Sequence, residues 1–446
     1  MGSRLSNRMA GRTPELELLI TACLVLLTGL GTLILGVGGV VRWLDLAIAG
    51  AFAGLFLTLS LALALRGWGE DQLLLPLTAL LAAIGLVMTR RLEPDLIARY
   101  GAVYSGIALK QVVWVLGGTL VLAGVSFVPW RLRWLKHYRY SWLLLGLLLV
   151  VLTALFGVER NGARLWLDLG AFQFQPVELL KILLVVYLAT YLDERRNLIG
   201  THYYLGGLRL PPLPYLLPLL LMWGLTIGLI IVQKDLGAAL LFLAIFLAML
   251  YLVSGRSSYV VSGLVAFALG AAAIYALATH MPLFSHVQAR VDAWRDPWAD
   301  PRGYGYQMVQ ALYALASGGW AGTGLGLGDP TTVPESHTDF VFTAIGEELG
   351  LVGTLGLLVC YTLFALRGYQ ITQRTRDGFQ QLLAAGLTTA ISVQALIITA
   401  GTTNLIPLTG ITLPFVSYGG SSTLVNFAMV GILLRISAPN KRPWVM

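Results

Sequence analysis

Long apolar runs separated by short polar segments set the pattern of this chain. Runs of about 17 to 25 residues recur near 17–41, 44–65, 73–89, 110–129, 142–157, 177–192, 213–233, 236–254, 258–280, 340–366, 381–403 and 419–437, each close to the length a helix needs to cross a bilayer. The pattern predicts an all-α, polytopic membrane protein with these twelve spans. Residues 1–72 hold two spans rich in Leu, Ala and Gly, with almost no internal polar group, and read as an accessory pair ahead of a ten-helix body over 73–446. Neither a short-period repeat nor a transporter-type inverted repeat is visible. Polar residues gather between spans: Arg90, Arg91, Glu93, Asp95 and Arg99 in one stretch, and Glu159, Arg160, Asn161, Arg164 and Asp168 in another. The stretch 281–339 is too long for a plain connection. Its Trp294, Trp298, Tyr304, Tyr306 and Tyr313 make it too aromatic for disorder, although the same rings suit a membrane interface.

Composition agrees: 57% of residues are hydrophobic and 12% charged, against about a quarter charged in soluble domains. The formal charge of +8 does not point to nucleic acid, because the basic residues are dispersed and form no stripe with interleaved aromatics. They fit orientation instead. A cytoplasmic N-terminus places most of the 30 Lys and Arg inside, with Arg131, Arg133, Lys136 and Arg139 in one short loop. Both cysteines, Cys23 and Cys360, fall within spans, so neither a disulfide framework nor a cysteine metal site is indicated. HExxH, Walker A and GxSxG motifs are absent, which disfavours a soluble-type nucleotide enzyme.

Four constellations could carry chemistry. Gln175-Pro176-Val177-Glu178-Leu179-Leu180-Lys181 opens the sixth span, with Pro at a helix start and Glu178 and Lys181 on one face. Ionisable groups inside a membrane are functional candidates; the plainer reading is that the two pair with each other or that Lys181 snorkels outward. Gln233-Lys234-Asp235-Leu236-Gly237 joins two spans by a tight outer turn, which pins its charges at the membrane surface, near Glu178 or merely as a polar turn. Asp339, in Pro334-Glu335-Ser336-His337-Thr338-Asp339-Phe340, stands where a long apolar helix meets water. There it can act on a lipid-tailed substrate's polar head, or Thr338 or Asp339 can simply cap the helix. The helix dipole favours the ionised carboxylate and so weakens it as a base, while leaving a metal-ligand or orienting role open. Leu413-Pro414-Phe415-Val416-Ser417-Tyr418-Gly419-Gly420-Ser421-Ser422 opens the last span, and its diglycine permits either an anion at free N–H groups or close helix packing.

Seven stretches carry a family resemblance: Lys110-Gln111 with Trp114 and Gly117; Asn161 through Leu167; Gln175 through Lys181; Gln233 with Asp235-Leu236-Gly237; Asp296-Pro297 with Gly305-Tyr306-Gln307; Pro334 through Phe340 with Gly346 through Gly350; and Pro407 through Gly410 with Leu413 through Ser422. Together, in this order over residues 73 to 437, they resemble the RodA/FtsW (SEDS) peptidoglycan polymerases. Val177 and Lys234 depart from the family's usual Ser and Pro, and Ile406 through Gly410 with the leading spans look more like RodA than FtsW. The resemblance implies a ten-helix fold that polymerises lipid II on the outer face of the bacterial cytoplasmic membrane, during elongation or division. It further implies a class B penicillin-binding protein as partner and a divalent cation, Mg²⁺ or Mn²⁺. The family's essential aspartate falls on Asp339, its cavity-lining pair on Glu178 and Lys181, and a cationic position on Lys110.

On this reading an acceptor sugar hydroxyl attacks the donor's anomeric carbon with inversion and undecaprenyl diphosphate leaves. Asp339 would orient or deprotonate the hydroxyl, or hold the metal; Lys181, Arg164 and Lys110 would meet the diphosphate. Asp235, Thr338, Ser417, Gly419 and Gly420 complete the expected substrate contacts. Two other functions fit the same residues: a flippase or transporter of lipid-linked precursor, with Glu178 and Lys181 lining its path, and a scaffold for a larger assembly.

Overall fold

A computed structural model describes residues 12–36, 43–66, 71–127, 132–160, 163–168, 170, 172–199, 203–205, 208–210, 213–278 and 285–438. The helices are α1 (Thr13–Gly36), α2 (Trp43–Arg66), α3 (Leu74–Tyr100), α4 (Ile107–Phe127), α5 (Leu132–His137), α6 (Arg139–Phe156), α7 (Pro176–Glu194), α8 (Arg196–Ile199), α9 (Leu213–Val232), α10 (Leu236–Ser254), α11 (Ser257–Ala278), α12 (Ser285–Arg295), α13 (Tyr306–Gly318), α14 (Val341–Arg374), α15 (Gly378–Thr402) and α16 (Gly420–Ser437). Among the described residues ten helices are long and apolar enough to cross a membrane, and Leu216–Val232 is a shorter apolar one. Every expected span falls on a helix, including the charged α7. Three short strands, β1 (Val158–Arg160), β2 (Ala163–Asp168) and β3 (Gln173–Phe174), form an antiparallel meander between α6 and α7. A second antiparallel pair, β4 (Tyr203–Leu205) and β5 (Leu208–Leu210), follows α8.

The chain folds as two compact units. Unit 1 takes Met1–Pro129, Gln310–Arg374 and Thr412–Met446, and unit 2 takes Trp130–Val309 and Thr375–Ile411. The expected boundary at residue 72 does not coincide with this division, since α1 and α2 lie inside unit 1, where α1 packs along α3. The reason is local: Gly29 of α1 leaves no room for a Cβ against Val87 of α3, so the two helices approach closely enough to form one layer. A half-buried ion pair, Arg90 of α3 with Asp45 of α2 at 2.9 Å, joins α2 to the same layer, and Glu15 of α1 accepts from Ser60 of α2 at 2.7 Å. Phe56 of α2 reaches Phe427 of α16 (ring centroids 6.4 Å apart), which in turn packs edge-on to Phe415 at 5.5 Å.

In unit 1, α14 is broken at Gly350, whose φ of 65° only glycine adopts at little cost. The break frees carbonyls that an unbroken helix would occupy. Thr323 and Gly324 donate to Glu347 and Glu348 carbonyl oxygens at 2.9 and 3.0 Å, and Leu351 donates back to Gly319 at 2.9 Å. The two carboxylates hold the same loop. Glu348 accepts from Arg91 Nε at 2.8 Å and from Gly326 N–H at 3.2 Å, and Glu347 accepts from Asp329 N–H at 2.8 Å. These acids are anchors for the segment that leads into the Asp339 turn. In unit 2, α7 is almost wholly buried between α6, α10 and α15. Gly146 of α6 abuts Leu180, and Gly386 of α15 abuts Val185 and Met249.

Candidate functional site

The polar residues fall into two groups, one in each unit. In unit 2, Gln175 is extended and Pro176 occupies the first helical position of α7, where its missing N–H leaves nothing unpaired. One turn in, Lys181 is 1% exposed. Its Nζ donates to Glu178 Oε2 at 2.8 Å and to Gln394 Oε1 of α15 at 2.6 Å. Two of the ammonium's three donors are thereby met in a site that excludes water, which is the condition for keeping a charge there. The pairing of Glu178 with Lys181 was legible from their spacing; Gln394, 213 residues away, was not. A Gln inside an otherwise apolar span was the available signal.

The turn between α9 and α10 sets a second carboxylate in unit 2. Lys234 turns the chain at φ 64°, and Asp235 caps α10 by accepting from Ala238 N–H at 3.0 Å. Asp235 is buried, and burial pushes its carboxyl up to about 6; the Ala238 hydrogen bond and the Arg290 charge pull it down, and the Glu178 charge pushes it up. The charges of Glu178 and Arg290 thus both reach Asp235. Arg290 of α12 donates to the carbonyls of Thr409 at 3.2 Å and Leu408 at 3.5 Å. Gly237 explains the Asp-Leu-Gly sequence, because a Cβ there would lie 2.5 Å from the Thr409 carbonyl oxygen. Arg290 had no periodic or motif signal in the sequence. Arg164, opposite Glu159 in the β1–β2 register, is half exposed and contacts it at 3.4 Å. Such solvated pairs contribute little stability, so its charge is not committed to the fold. Asn161 and Gly162 of the same motif lie outside the described residues.

In unit 1, Asp339 lies on a turn that Glu335, at φ 57°, closes by accepting from the N–H groups of Thr338 and Phe340, both at 3.1 Å. Thr338 does not cap the helix: its hydroxyl donates to Glu335 Oε2 at 3.1 Å. Asp339 is half-buried, two residues ahead of α14. The loop before α16 braces this turn. Ser417 Oγ donates to the Thr338 carbonyl at 2.5 Å and accepts from Leu413 N–H at 2.8 Å, and Tyr418 N–H donates to the His337 carbonyl at 2.9 Å. His337 is buried between the rings of Tyr104 (5.3 Å) and Tyr418 (5.8 Å). Burial lowers its imidazole from the usual value, against a smaller pull upward from Glu335, and its Nδ1 has no hydrogen-bond partner.

Lys110 is exposed at the start of α4, and its neighbour Gln111 donates to the Ser417 carbonyl at 3.3 Å. Of the two glycines, Gly420 faces the Trp114 ring, which a Cβ would meet at 2.4 Å, so close packing accounts for it; at Gly419 a Cβ would make only ordinary contacts, 3.4 Å from Thr412 and 3.7 Å from Ser422. Unit 1 thus brings Lys110, Thr338, Asp339, Ser417 and the diglycine onto one tied set of loops. Unit 2 sets Glu178 and Lys181 in the first turns of α7, with Asp235 on the α9–α10 turn within reach of the Glu178 charge. Among the described residues no cluster of three His, Cys, Asp or Glu side chains could hold a metal by itself.

A family model described as a cell cycle protein, covering FtsW, RodA and SpoVE, matches residues 71–442, which leaves α1 and α2 outside the match. Over 440 residues the chain is 42% identical to "Peptidoglycan glycosyltransferase RodA" of Mycobacterium tuberculosis, covering 97% of this chain and 92% of that protein. It is 33% identical to the "Probable peptidoglycan glycosyltransferase FtsW" of Trichlorobacter lovleyi, over 82% of this chain and 93% of the relative. Among solved structures, one from a study of polymerization and crosslinking by a peptidoglycan synthase complex matches with TM-score 0.67 and 30% identity, over 83% of this chain and 98% of that one. The rod shape determining protein RodA of Thermus thermophilus matches with TM-score 0.58 and 27% identity, over 83% and 97%. With the matched region spanning all but the leading helices, and these motifs in order on the loops just described, the chain belongs to the FtsW, RodA and SpoVE family.

Proposed function

We propose that this protein is a peptidoglycan glycosyltransferase that joins lipid II units into glycan strands at the outer face of the cytoplasmic membrane. The observation that carries the reading is the 42% identity, over 97% of the chain, to a protein named for that activity. Residues of both units are suited by their chemistry to what the reaction needs. An acceptor hydroxyl has to be oriented and relieved of its proton, and Asp339, half-buried on a braced turn, is the carboxylate for that role. Negative charge develops on the leaving diphosphate, and cations fixed in advance stabilise it most. Lys181 is held rigidly by Glu178 and Gln394, whereas Arg164 and Lys110 are exposed and adaptable. Asp235 lies within reach of the charges of Glu178 and Arg290, and Arg290 holds the 408–409 loop.

A divalent cation fits only as a shared ligand. Asp339 offers one carboxylate, and Mg²⁺ characteristically takes one or two carboxylates and completes its shell with water and substrate phosphates. When bound, such a cation supplies positive charge beside the departing diphosphate. Chelation by EDTA should then stop polymerisation and added Mg²⁺ or Mn²⁺ restore it, while the melting temperature of the protein without substrate stays unchanged; polymerisation that persists in EDTA rejects the cation. As partner the reading takes a class B penicillin-binding protein that crosslinks the new strand, consistent with the synthase complex among the structural matches.

The reading is tested with purified protein, its partner and lipid II in detergent, where a flippase has no bilayer to cross and makes no polymer. Asp339→Asn should lower polymerisation by about 10²-fold or more, the scale of losing a general base, with expression and melting temperature unchanged. Undiminished polymer from that variant removes Asp339 from the mechanism.

A further inference from the structure

The strongest feature that the transferase reading does not use lies at the far end of α7. Glu178 and Lys181 are in its first turns, and Glu194 ends it, about 24 Å away at 1.5 Å per residue. There unit 2 has a polar cleft of about 500 Å³. Four of its lining side chains are basic or can become so, Arg133, Lys136, His137 and Arg139, all from one short segment. Two of them are already neutralised: Lys136 pairs with Asp193 at 2.6 Å, and Arg139 pairs with Glu194. The remaining acid in the lining, Asp377, is used as the cap of α15, accepting from Gln380 N–H at 2.9 Å. Arg133 and His137 are exposed and make no ion pair among the described residues. Arg139 Nε is buried without a hydrogen-bond partner. The cleft is thus a polar cavity whose three cations and three carboxylates balance, and which leaves the unpaired Arg133 guanidinium, the His137 ring and a spare buried donor for a ligand, on the face opposite the candidate active site in this unit.

Its surroundings say what comes to it. Trp134, Tyr138 and Tyr140 are 55%, 43% and 51% exposed beside it. Trp and Tyr at a helix end mark the headgroup level of a bilayer, and basic groups at that level attract anionic headgroups. We propose that this cleft is a second site, one that binds the phosphate of an anionic phospholipid headgroup, with Arg133 and His137 as its recognition pair and Arg139 Nε as a further donor. The shared chemistry is a phosphate anion, and a free phosphate would use the same donors. The proposal does not depend on the transferase reading.

The test uses the full-length protein in detergent with three probes: short-chain phosphatidylglycerol, phosphatidylcholine of the same chain length, and inorganic phosphate. Affinity is read from the change in tryptophan fluorescence on titration. Phosphatidylglycerol should bind at least fivefold more tightly than phosphatidylcholine, and R133Q/H137Q should lose at least fivefold of that affinity, about the effect of one charge near a membrane surface. R376Q removes an exposed charge that does not line the cleft and should change nothing. Inorganic phosphate that binds as tightly as phosphatidylglycerol, and is weakened by the same double variant, assigns the site to free phosphate. Equal binding of the two lipids without phosphate binding overturns the proposal, as does an equal loss in R376Q, which would reduce the effect to overall charge. Both altered residues of the double variant are exposed and without ion pairs, so its melting temperature should match the parent's, and a lowered one would overturn their assignment as free recognition groups.

Discussion

Removing Lys181 and Glu178 singly and then together separates what holds the fold from what does chemistry. The ammonium is 1% exposed and Glu178 is 11% exposed, 2.8 Å apart. At an effective dielectric of about 20 their attraction is roughly 6 kcal/mol, which offsets a desolvation cost of several kcal/mol per ion. Lys181→Met leaves a carboxylate without its cation, and Glu178→Leu leaves an ammonium with only Gln394; either should destabilise by about 3 kcal/mol. The double variant has no charge left to strand. It should cost no more than about 3 kcal/mol where additivity would give about 6, a coupling of about 3 kcal/mol. Unfolding in mixed detergent micelles, followed by tryptophan fluorescence, measures the stabilities, and lipid II polymerisation is assayed on the same samples. The double variant should regain stability and stay inactive. Additive losses would refute the mutual pairing, and a fully active double variant would remove Lys181 from the reaction.

Protonation of His337 gives a pH signature. Burial holds the folded imidazole below the usual value of about 6.5, so the unfolded chain takes up a proton first as pH falls. Its contribution is constant above about pH 7 and is lost below about pH 6.5, by at most about 1.4 kcal/mol per pH unit; His337→Asn should remove that part of the slope, and an unchanged slope in the variant would refute it. At Gly420, Ala would push a methyl to 2.4 Å from the Trp114 ring, and the overpacking should cost about 1 to 3 kcal/mol. Trp114→Leu in the same chain should recover most of it, and a Gly420→Ala variant as stable as the parent would contradict the close packing.

The sequence by itself determined the membrane character, the place of each long apolar helix though not the continuation of α3 through Arg90 to Tyr100, the pairing of Glu178 with Lys181 and the tight turn at Asp235, because each depends on composition or on neighbours three or four residues apart. Only the tertiary structure decided which faces of those helices turn inward. Helices that are apolar all round carry no stripe to say so, since lipid is as apolar as a protein core. For that reason Gln394 on Lys181, Arg290 on the Thr409 carbonyl, Ser417 on the Thr338 carbonyl and Arg91 on Glu348 were invisible beforehand; their partners lie 79 to 257 residues apart in the chain. The division into units was equally hidden, because packing through Gly29 and the Arg90–Asp45 pair places the leading helices within unit 1. Those contacts exist only once distant segments of chain are brought together.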